Sequence, residues 1–246
     1  MDKMLYVAMT GATQNALAQR AHANNLANLS TSGFQRDFAQ ARSMQVFGDT
    51  HPARVYAMTE RPGTDFSPGS LMETGRDLDV AVEGEGWIAV QAPDGGEAYV
   101  RTGGLQIDAL GMLRTGDGLP VLGNGGPIAV PPEQKIDIGV DGTVSIRAAG
   151  EGPNLIIAVD RLKLVRPDPA QLEKGTDGMI RLKGGGEAEP EAGVRLASGF
   201  LEGSNVNAVE EMTAMLALSR QFELHIKMMR TAEDDAAAMA RVLQIG

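Results

Sequence analysis

A regular spacing of apolar residues near the C-terminal end constrains the fold of this chain most strongly. Steps of three and four residues join Met215, Leu218, Phe222, His225, Met229, Ala232, Ala236, Met239 and Leu243, which we call the C-terminal stripe. Such spacing predicts one long helix that offers a narrow stripe to a partner helix. Asn207 is a suitable N-cap, because Glu210 follows three residues later. We therefore predict a helix from residue 207 to about residue 243.

A second stripe with mostly smaller side chains lies at the other end of the chain. This N-terminal stripe comprises Leu5, Met9, Ala12, Ala16, Gln19, Ala23 and Leu26. Small side chains favour a close approach of neighbouring helices, and Gly33 supplies a left-handed position after the helix. Almost no helical pattern lies between the two stripes, so they must pair with each other, with other subunits, or with both. Opposite net charges, +2 for residues 1–48 and −3 for 200–246, favour such pairing.

The middle of the chain has the pattern of short strands separated by glycine turns. Strands are predicted at 78–82, 87–90, 98–100, 128–130, 136–138, 143–146 and 162–165. Asp-Gly or Asn-Gly pairs at 94–95, 117–118, 124–125 and 141–142 indicate turns between them. We expect an exposed acidic loop at 184–191.

These patterns together predict an α+β protein with four segments. The terminal helices are expected to form a coiled-coil-like layer, and the middle is expected to form an all-β domain with a barrel-like or sandwich-like arrangement. The segments are an N-terminal helix at 1–33, an extended connection at 34–67, the β-domain at 68–199 and a C-terminal helix at 200–246.

Composition argues against several classes of function. A net charge of −10 disfavours binding to nucleic acid. The absence of cysteine excludes thiol nucleophiles, disulfides and thiolate metal sites. No stretch approaches the roughly 18 apolar residues that span a bilayer, and the N-terminus lacks the layout of a signal peptide. We therefore expect no membrane insertion. We also expect that the chain either stays in the cytosol or is exported without removal of an N-terminal peptide.

Three patterns that suggest chemistry fail in their context. Gly84, Gly86 and Ala89 match a dinucleotide fingerprint, but a turn at 93–96 leaves no room for the helix that such a site needs. Residues 137–142 begin like a calcium loop, but lack its ligands and are predicted to be a hairpin turn. His22, His51 and His225 suggest no third zinc ligand, although His22 and His225 could meet. We expect no catalytic, cofactor-binding or metal-binding residues.

Several motifs resemble the signatures shared by flagellar rod and hook proteins, and they occur in the expected order. The N-terminal signature consists of Asn24, Asn25, Leu26, Ala27 and Asn28, followed by Gly33 and Phe34. LDVAVEGEGW at 78–87 and YVRTG at 99–103 resemble the β-domain of these proteins. Ser204, Asn205 and Val206 belong to the C-terminal signature within 203–212. The chain length and the RLKLV sequence at 161–165 look most like the proximal rod subunits.

This resemblance implies a structural subunit of the proximal rod in the bacterial flagellar basal body, and not an enzyme. Its terminal helices would polymerise around a central channel, forming a drive shaft and the wall of an export conduit. Implied partners are proximal and distal rod proteins, copies of itself or homologous axial subunits, and the flagellar type III export apparatus. The implied location is the periplasm. The alternatives are a distal rod or hook-type protein, or a secreted ligand-binding β-domain with oligomerising helices.

Overall fold

The computed structural model describes residues 3–45, 55–60, 63–131, 133–148 and 156–245. It shows an N-terminal helix, a β-rich middle and a C-terminal helix, as the α+β prediction requires. The chain divides into two compact units. The helical unit comprises 1–28, 37–63 and 206–246, and the β unit comprises 29–36 and 64–205.

Two helices and a strand pair form the helical unit. Helix α1 spans Lys3–Ala27 and helix α2 spans Ala208–Ile245. Strand β1 (Gln40–Gln45) pairs antiparallel with β2 (Val55–Glu60). These strands lie in the segment that was predicted to be an extended connection. The sequence analysis missed them because QARSMQ and VYAMTE lack a clear alternation of apolar and polar residues.

The start of α2 follows the predicted signal, whereas Gly33 lies six residues beyond Ala27, where α1 ends, and does not cap that helix. The side-chain oxygen of Asn207 accepts hydrogen bonds from the N–H groups of Val209, at 3.0 Å, and Glu210, at 3.4 Å. These bonds satisfy N–H groups in the first turn of α2, which have no partner inside the helix. Gly33 has a φ of +67°, which is the left-handed conformation that the sequence predicted for it.

The described residues of the β unit form sixteen short strands, all paired antiparallel. They are β3 (Leu71–Glu73), β4 (Val80–Glu83), β5 (Trp87–Gln91), β6 (Glu97–Val100), β7 (Leu105–Ile107), β8 (Leu113–Thr115), β9 (Leu122–Gly123), β10 (Gly126–Pro127), β11 (Glu133–Ile138), β12 (Thr143–Ala148), β13 (Ile156–Arg161), β14 (Leu164–Val165), β15 (Leu172–Lys174), β16 (Ile180–Leu182), β17 (Arg195–Ser198) and β18 (Phe200–Glu202). A short 3₁₀ helix, Pro169–Gln171, precedes β15.

The strands form several small sheets and not one closed barrel. A five-stranded sheet has the order β14-β5-β6-β16-β15, and a three-stranded sheet has the order β11-β12-β13. The remaining strands of the unit pair two by two. Aliphatic side chains such as Ile88, Leu105 and Leu113 bury completely between these sheets and make a continuous core. A smaller apolar cluster surrounds Trp87 and Tyr99.

Six of the seven predicted strands coincide at least in part with observed ones. The exception is 128–130, where Ile128 is buried but Ala129 makes only an isolated bridge with Met112. The glycine motif at 84–89 joins β4 to β5, and no helix follows it. Residues 137–142 lead into a hairpin turn between β11 and β12, in which the Gly139 N–H donates to the carbonyl of Thr143 at 2.9 Å. Both patterns are therefore structural.

Candidate assembly interface

One face of α1 is made of small and polar residues and lies against α2. Its members are spaced by three and four residues. This inner face consists of Ala8, Gly11, Asn15, Ala18, His22 and Asn25. Ala8, Ala18 and Asn25 are buried. A Cβ atom added to Gly11 would collide with the imidazole of His225. The two helices therefore approach each other closely at Gly11.

A polar cluster joins the end of α1 to the start of α2. His22 Nδ1 lies 2.5 Å from Glu211 Oε2, and the Asn25 amide donates to Glu211 Oε1 at 3.3 Å. Asn25 also donates to the carbonyl of Asp37 at 2.9 Å and accepts from the N–H of Asp37 at 3.0 Å. Glu211 is only 3% exposed. A buried carboxylate with these specific partners fixes the register of the two helices.

His22 and His225, which the sequence allowed to contact each other, have different neighbours. His22 contacts Glu211, whereas His225 lies against Gly11. His225 Nδ1 and Asn15 Nδ2 are buried and have no hydrogen-bond partner among the described residues. His51 lies outside the described residues.

The predicted assembly residues of α2 mostly turn toward the interior of the helical unit. Met215, Leu218, Phe222, His225 and Met229 are half-buried, and Ala232 is fully buried. Further along the C-terminal stripe, Ala236 and Met239 are exposed. Leu243 belongs to α2, but its side chain lies outside the described part of the chain.

The predicted stripe on α1 differs from the face that packs against α2. Leu5, Met9 and Ala23 are exposed, Ala16 and Leu26 are half-buried, and Ala12 is buried. At 3.6 residues per turn, the N-terminal stripe is rotated by about 100° from the inner face. The N-terminal stripe is the more apolar of the two series, and for that reason it was the one predicted. The inner face contains a glycine and three polar residues, so its 3–4 spacing was the only signal that could have revealed it.

Several large apolar side chains remain exposed on the helical unit. Val209, Met212 and Leu216 follow one another on α2 at spacings of three and four, with exposures of 74%, 51% and 63%. On α1, Tyr6 and Met9 are about half exposed. Exposed apolar groups that cluster in this way mark surfaces for protein partners.

A buried ion pair holds the centre of the β unit, and the sequence analysis did not identify it. Arg101 Nε donates to Glu202 Oε2 at 2.7 Å, and the two side chains are 1% and 0% exposed. Arg101 Nη2 donates to the carbonyl of Gly84, and its guanidinium lies 5.3 Å from the centre of the Trp87 ring. The other oxygen of Glu202 accepts from the N–H of Gly69 at 2.8 Å. The two charges are therefore fully partnered.

The two family signatures meet inside the β unit. The Gly33 N–H donates to the carbonyl of Glu202 at 2.9 Å. Asn205 Oδ1 accepts from the N–H of Arg36 at 2.8 Å, and Asn205 Nδ2 donates to the carbonyl of Asp65 at 2.8 Å. A Cβ at Gly33 would collide with the backbone of Thr102. Signature residues distant in sequence thus hold one another in place.

A cavity of about 440 Å³ lies beside this junction, and its main charged group is already engaged. Lys174 Nζ donates to the carbonyl of Gln35 at 2.7 Å and lies 4.1 Å from the ring centre of Phe34. Trp87 does not line the cavity; it is buried, with Phe66 edge-on at 5.6 Å.

The acidic segment at 184–191 is largely exposed, as predicted, and hydrogen bonds from Ala188 and Glu191 hold it to the rest of the β unit. The Ala188 N–H donates to the hydroxyl of Tyr99 at 2.8 Å. Burial raises the pKa of Tyr99, and a hydrogen bond with Glu97 adds to the rise. Glu97 in turn pairs with Lys163 at 2.5 Å. These contacts hold the acidic segment against the β unit.

The described part of the chain contains no group of three or more side chains that could hold a metal ion. No described helix is long and apolar enough to cross a membrane. Exposed apolar side chains on both helices are typical of a chain that associates with other proteins.

Comparison with known proteins identifies the family. The chain matches the profiles of the flagella basal body rod protein at residues 5–35, the flagellar hook protein FlgE/F/G D1 domain at 81–146, and the flagellar basal body rod FlgEFG protein C-terminal region at 197–242. It is 40% identical to the flagellar basal-body rod protein FlgF of Escherichia coli K12, with both chains fully covered. It is 33% identical to FlgF of Caulobacter vibrioides, again with both chains fully covered. Identity to FlgG of Bacillus subtilis is 31%, covering 95% of this chain and 96% of that one. The chain belongs to the flagellar basal-body rod protein family and is FlgF-like.

Proposed function

We propose that this chain is a structural subunit of the proximal rod of the bacterial flagellar basal body. The observation that carries the proposal is the match to FlgF relatives over the whole chain, since these proteins are named as rod components. Its partners are other rod and axial subunits. A distal rod or hook-type role remains the alternative within the family, because FlgG relatives match over nearly the same length.

The helical unit supports a role in polymerisation. It exposes apolar groups on both helices, including Tyr6, Met9 and Leu216. Burying such side chains against a neighbour stabilises a contact by roughly 1.5–3 kcal/mol each when burial is complete. The helices form a coiled-coil-like layer around a channel. This layer transmits torque and forms the wall of the export conduit. The assembly residues are those members of the N-terminal and C-terminal stripes that remain exposed, namely Leu5, Met9, Ala23, Ala236 and Met239.

The chain reaches the rod in the periplasm through the flagellar type III export apparatus. The β unit supports a spacer role, because its core and its Arg101–Glu202 pair form one fully packed unit. No catalytic step belongs to this role. We assign the β unit to contacts with neighbouring subunits and not to substrate chemistry.

Complementation of a gene-deletion strain tests the proposal. The full chain should restore motility, and the chain should co-purify with isolated basal bodies. Removal of residues 1–33 or of 215–246 should abolish both motility and co-purification, because each deletion removes all or most of one helix of the pair. Residues 29–33 also lie in the β unit, so deletion of 3–28 is the cleaner N-terminal variant. If a variant that lacks one of the two helices restored motility, a role mediated by that helix would be refuted.

A further inference from the structure

The three-stranded sheet of the β unit has two outer strands, β11 and β13, and they differ in their protection against further pairing. Strand β11 carries the exposed charges of Lys135 and Asp137, which alternate with buried isoleucines. In β13, residues 156–159 are all uncharged, and Ile156 is 66% exposed. Charged side chains on an outer strand normally discourage the addition of another strand. Strand β13 lacks this protection over most of its length.

The outer side of β13 offers its backbone groups to a further strand. The sheet order β11-β12-β13 ends at β13, and no described strand pairs with its other side. Just beyond the strand, the Leu162 N–H donates to the carbonyl of Gly142, next to β12, at 2.9 Å. The following N–H, of Lys163, points to the opposite side and donates to the carbonyl of Leu122 at 2.9 Å. A strand added beside β13 would therefore extend a ladder that already begins at Lys163.

The side chains next to this edge define two faces of the sheet. On one face, Ile157 lies opposite Ile146, which is buried in the core. On the other face, Ile156 lies opposite Arg147 on β12. Arg147 Nε is buried and has no hydrogen-bond partner among the described residues. A buried guanidinium nitrogen without an acceptor is unfavourable, so an acidic group that reaches this face would be stabilised.

An acidic side chain on an added strand lies within reach of Arg147. Neighbouring strands are about 4.8 Å apart, and only β13 would separate β12 from the added strand. The arginine and glutamate side chains are long enough to meet across one strand. A glutamate on the outer face of the added strand can therefore accept a hydrogen bond from Arg147.

We infer that the free edge of β13 binds an extended segment of another protein by strand addition. The segment has apolar residues at alternate positions, next to Ile157, and an acidic residue on the face of Arg147. Backbone hydrogen bonds supply affinity, and the alternate side chains supply specificity. Strand β13 of a second copy fits poorly, because its one acidic residue, Asp160, lies in register with core-facing Val144 and not on the face of Arg147. The inference rests on the proposed function only in that the β unit contacts neighbouring proteins.

Peptide binding to the purified chain tests this inference. The probe is the fluorescein-labelled peptide Val-Thr-Val-Glu-Val-Thr-Val, and its fluorescence anisotropy is followed as the chain is added. We expect saturable binding. The same peptide with lysine in place of glutamate should bind about tenfold more weakly, because it brings a like charge to Arg147. A peptide that is N-methylated throughout should not bind, because it cannot donate backbone hydrogen bonds to β13.

Variants at the edge show whether the peptide binds there. Ile156→Lys and, independently, Ala158→Lys place a charge at exposed positions of β13 and should weaken binding about tenfold. Val140→Lys is the matched control, because Val140 is 56% exposed in the hairpin between β11 and β12. Arg147→Gln should remove the preference for glutamate over lysine in the peptide and leave the binding itself. Trp87 fluorescence shows that each variant is folded.

Hydrogen exchange locates the bound peptide. Amides within 156–160 should exchange more slowly in the complex, whereas those of β11, at the opposite edge of the same sheet, should not change. Protection at β11 and not at β13 would overturn the inference, as would the absence of saturable binding.

The remaining outcomes separate other occupants and the proposed function. If the purified chain is a dimer that Ile156→Lys converts to a monomer, a second copy occupies the edge and the inference is overturned. Equal binding of the N-methylated peptide, or equal binding by Ile156→Lys and Val140→Lys, also overturns it. Absence of the chain from isolated basal bodies refutes the proposed rod function, but it does not alter peptide binding by the purified chain.

Discussion

The two units of this protein bury different kinds of side chain. In the β unit, large residues such as Ile88, Leu105 and Tyr99 are completely buried. In the described helical unit, the buried apolar residues are four alanines and one valine: Ala8, Ala12, Ala18, Ala232 and Val206. Because hydrophobic stabilisation scales with the area buried, the β unit is stabilised by its own core. The helical unit keeps its large apolar groups at or near the surface, where neighbours can cover them.

The largest expected effect concerns the buried ion pair of the β unit. Arg101→Met should destabilise this unit by about 3–5 kcal/mol, because it leaves the Glu202 carboxylate buried without its charged partner. Urea unfolding followed by the fluorescence of Trp87, the single tryptophan, measures the change. The Arg101→Met/Glu202→Leu variant should recover much of the loss. A double variant as unstable as the single one would contradict this account.

A smaller effect is expected where α2 packs inside the helical unit. Leu218→Asp places a charge on the half-buried side of α2 and should destabilise the helix pair by about 2 kcal/mol. Circular dichroism at 222 nm should show an earlier loss of helix, while the Trp87 transition of the β unit stays unchanged. Leu216→Asp is the matched control, since Leu216 is 63% exposed on the same helix. Equal losses from the two variants would show that α2 does not pack as described.

The close approach of the helices gives a third prediction. Gly11→Ala should destabilise the helical unit by about 1–3 kcal/mol, because the added methyl group meets the His225 ring. His225→Ala should relieve the collision, so the double variant should be more stable than the sum of the single changes predicts. Thermal unfolding monitored by helix content measures this coupling. Strict additivity would argue against contact between the two residues.

The smallest effect concerns the pH dependence of the β unit. Burial tends to raise the pKa of Asp65, but hydrogen bonds from Ser67 and from Arg36 outweigh burial and lower it. A lowered folded-state pKa contributes stability above the unfolded pKa of about 3.9, and that contribution is lost as pH falls through the folded pKa. Asp65→Asn should therefore reduce the loss of stability as the pH falls below about 4. An unchanged slope in acid unfolding would contradict the assignment.

The sequence predicted the elements better than it predicted their contacts. Long helical periodicity and the Asn207 cap located α2, and Asp-Gly pairs located the turns of the β unit, because these signals are local. The inner face of α1 was missed because burial of His22 and Asn25 depends on Glu211 and Asp37, which lie elsewhere in the chain. The Arg101–Glu202 pair was not predicted for the same reason, because no local pattern indicates that these residues contact each other.

The distance in sequence between Arg101 and Glu202 has a consequence for the order of folding. The strand that carries Glu202, β18, pairs with β3, and β17 pairs with β4, so the last strands of the β unit complete its first ones. A chain produced from its N-terminus holds Arg101 without its carboxylate until residue 202 is available, and a guanidinium charge resists burial until then. The β unit therefore cannot complete its packing until residue 202 is available. Completion requires both ends of the unit, because its last two strands pair with its first two.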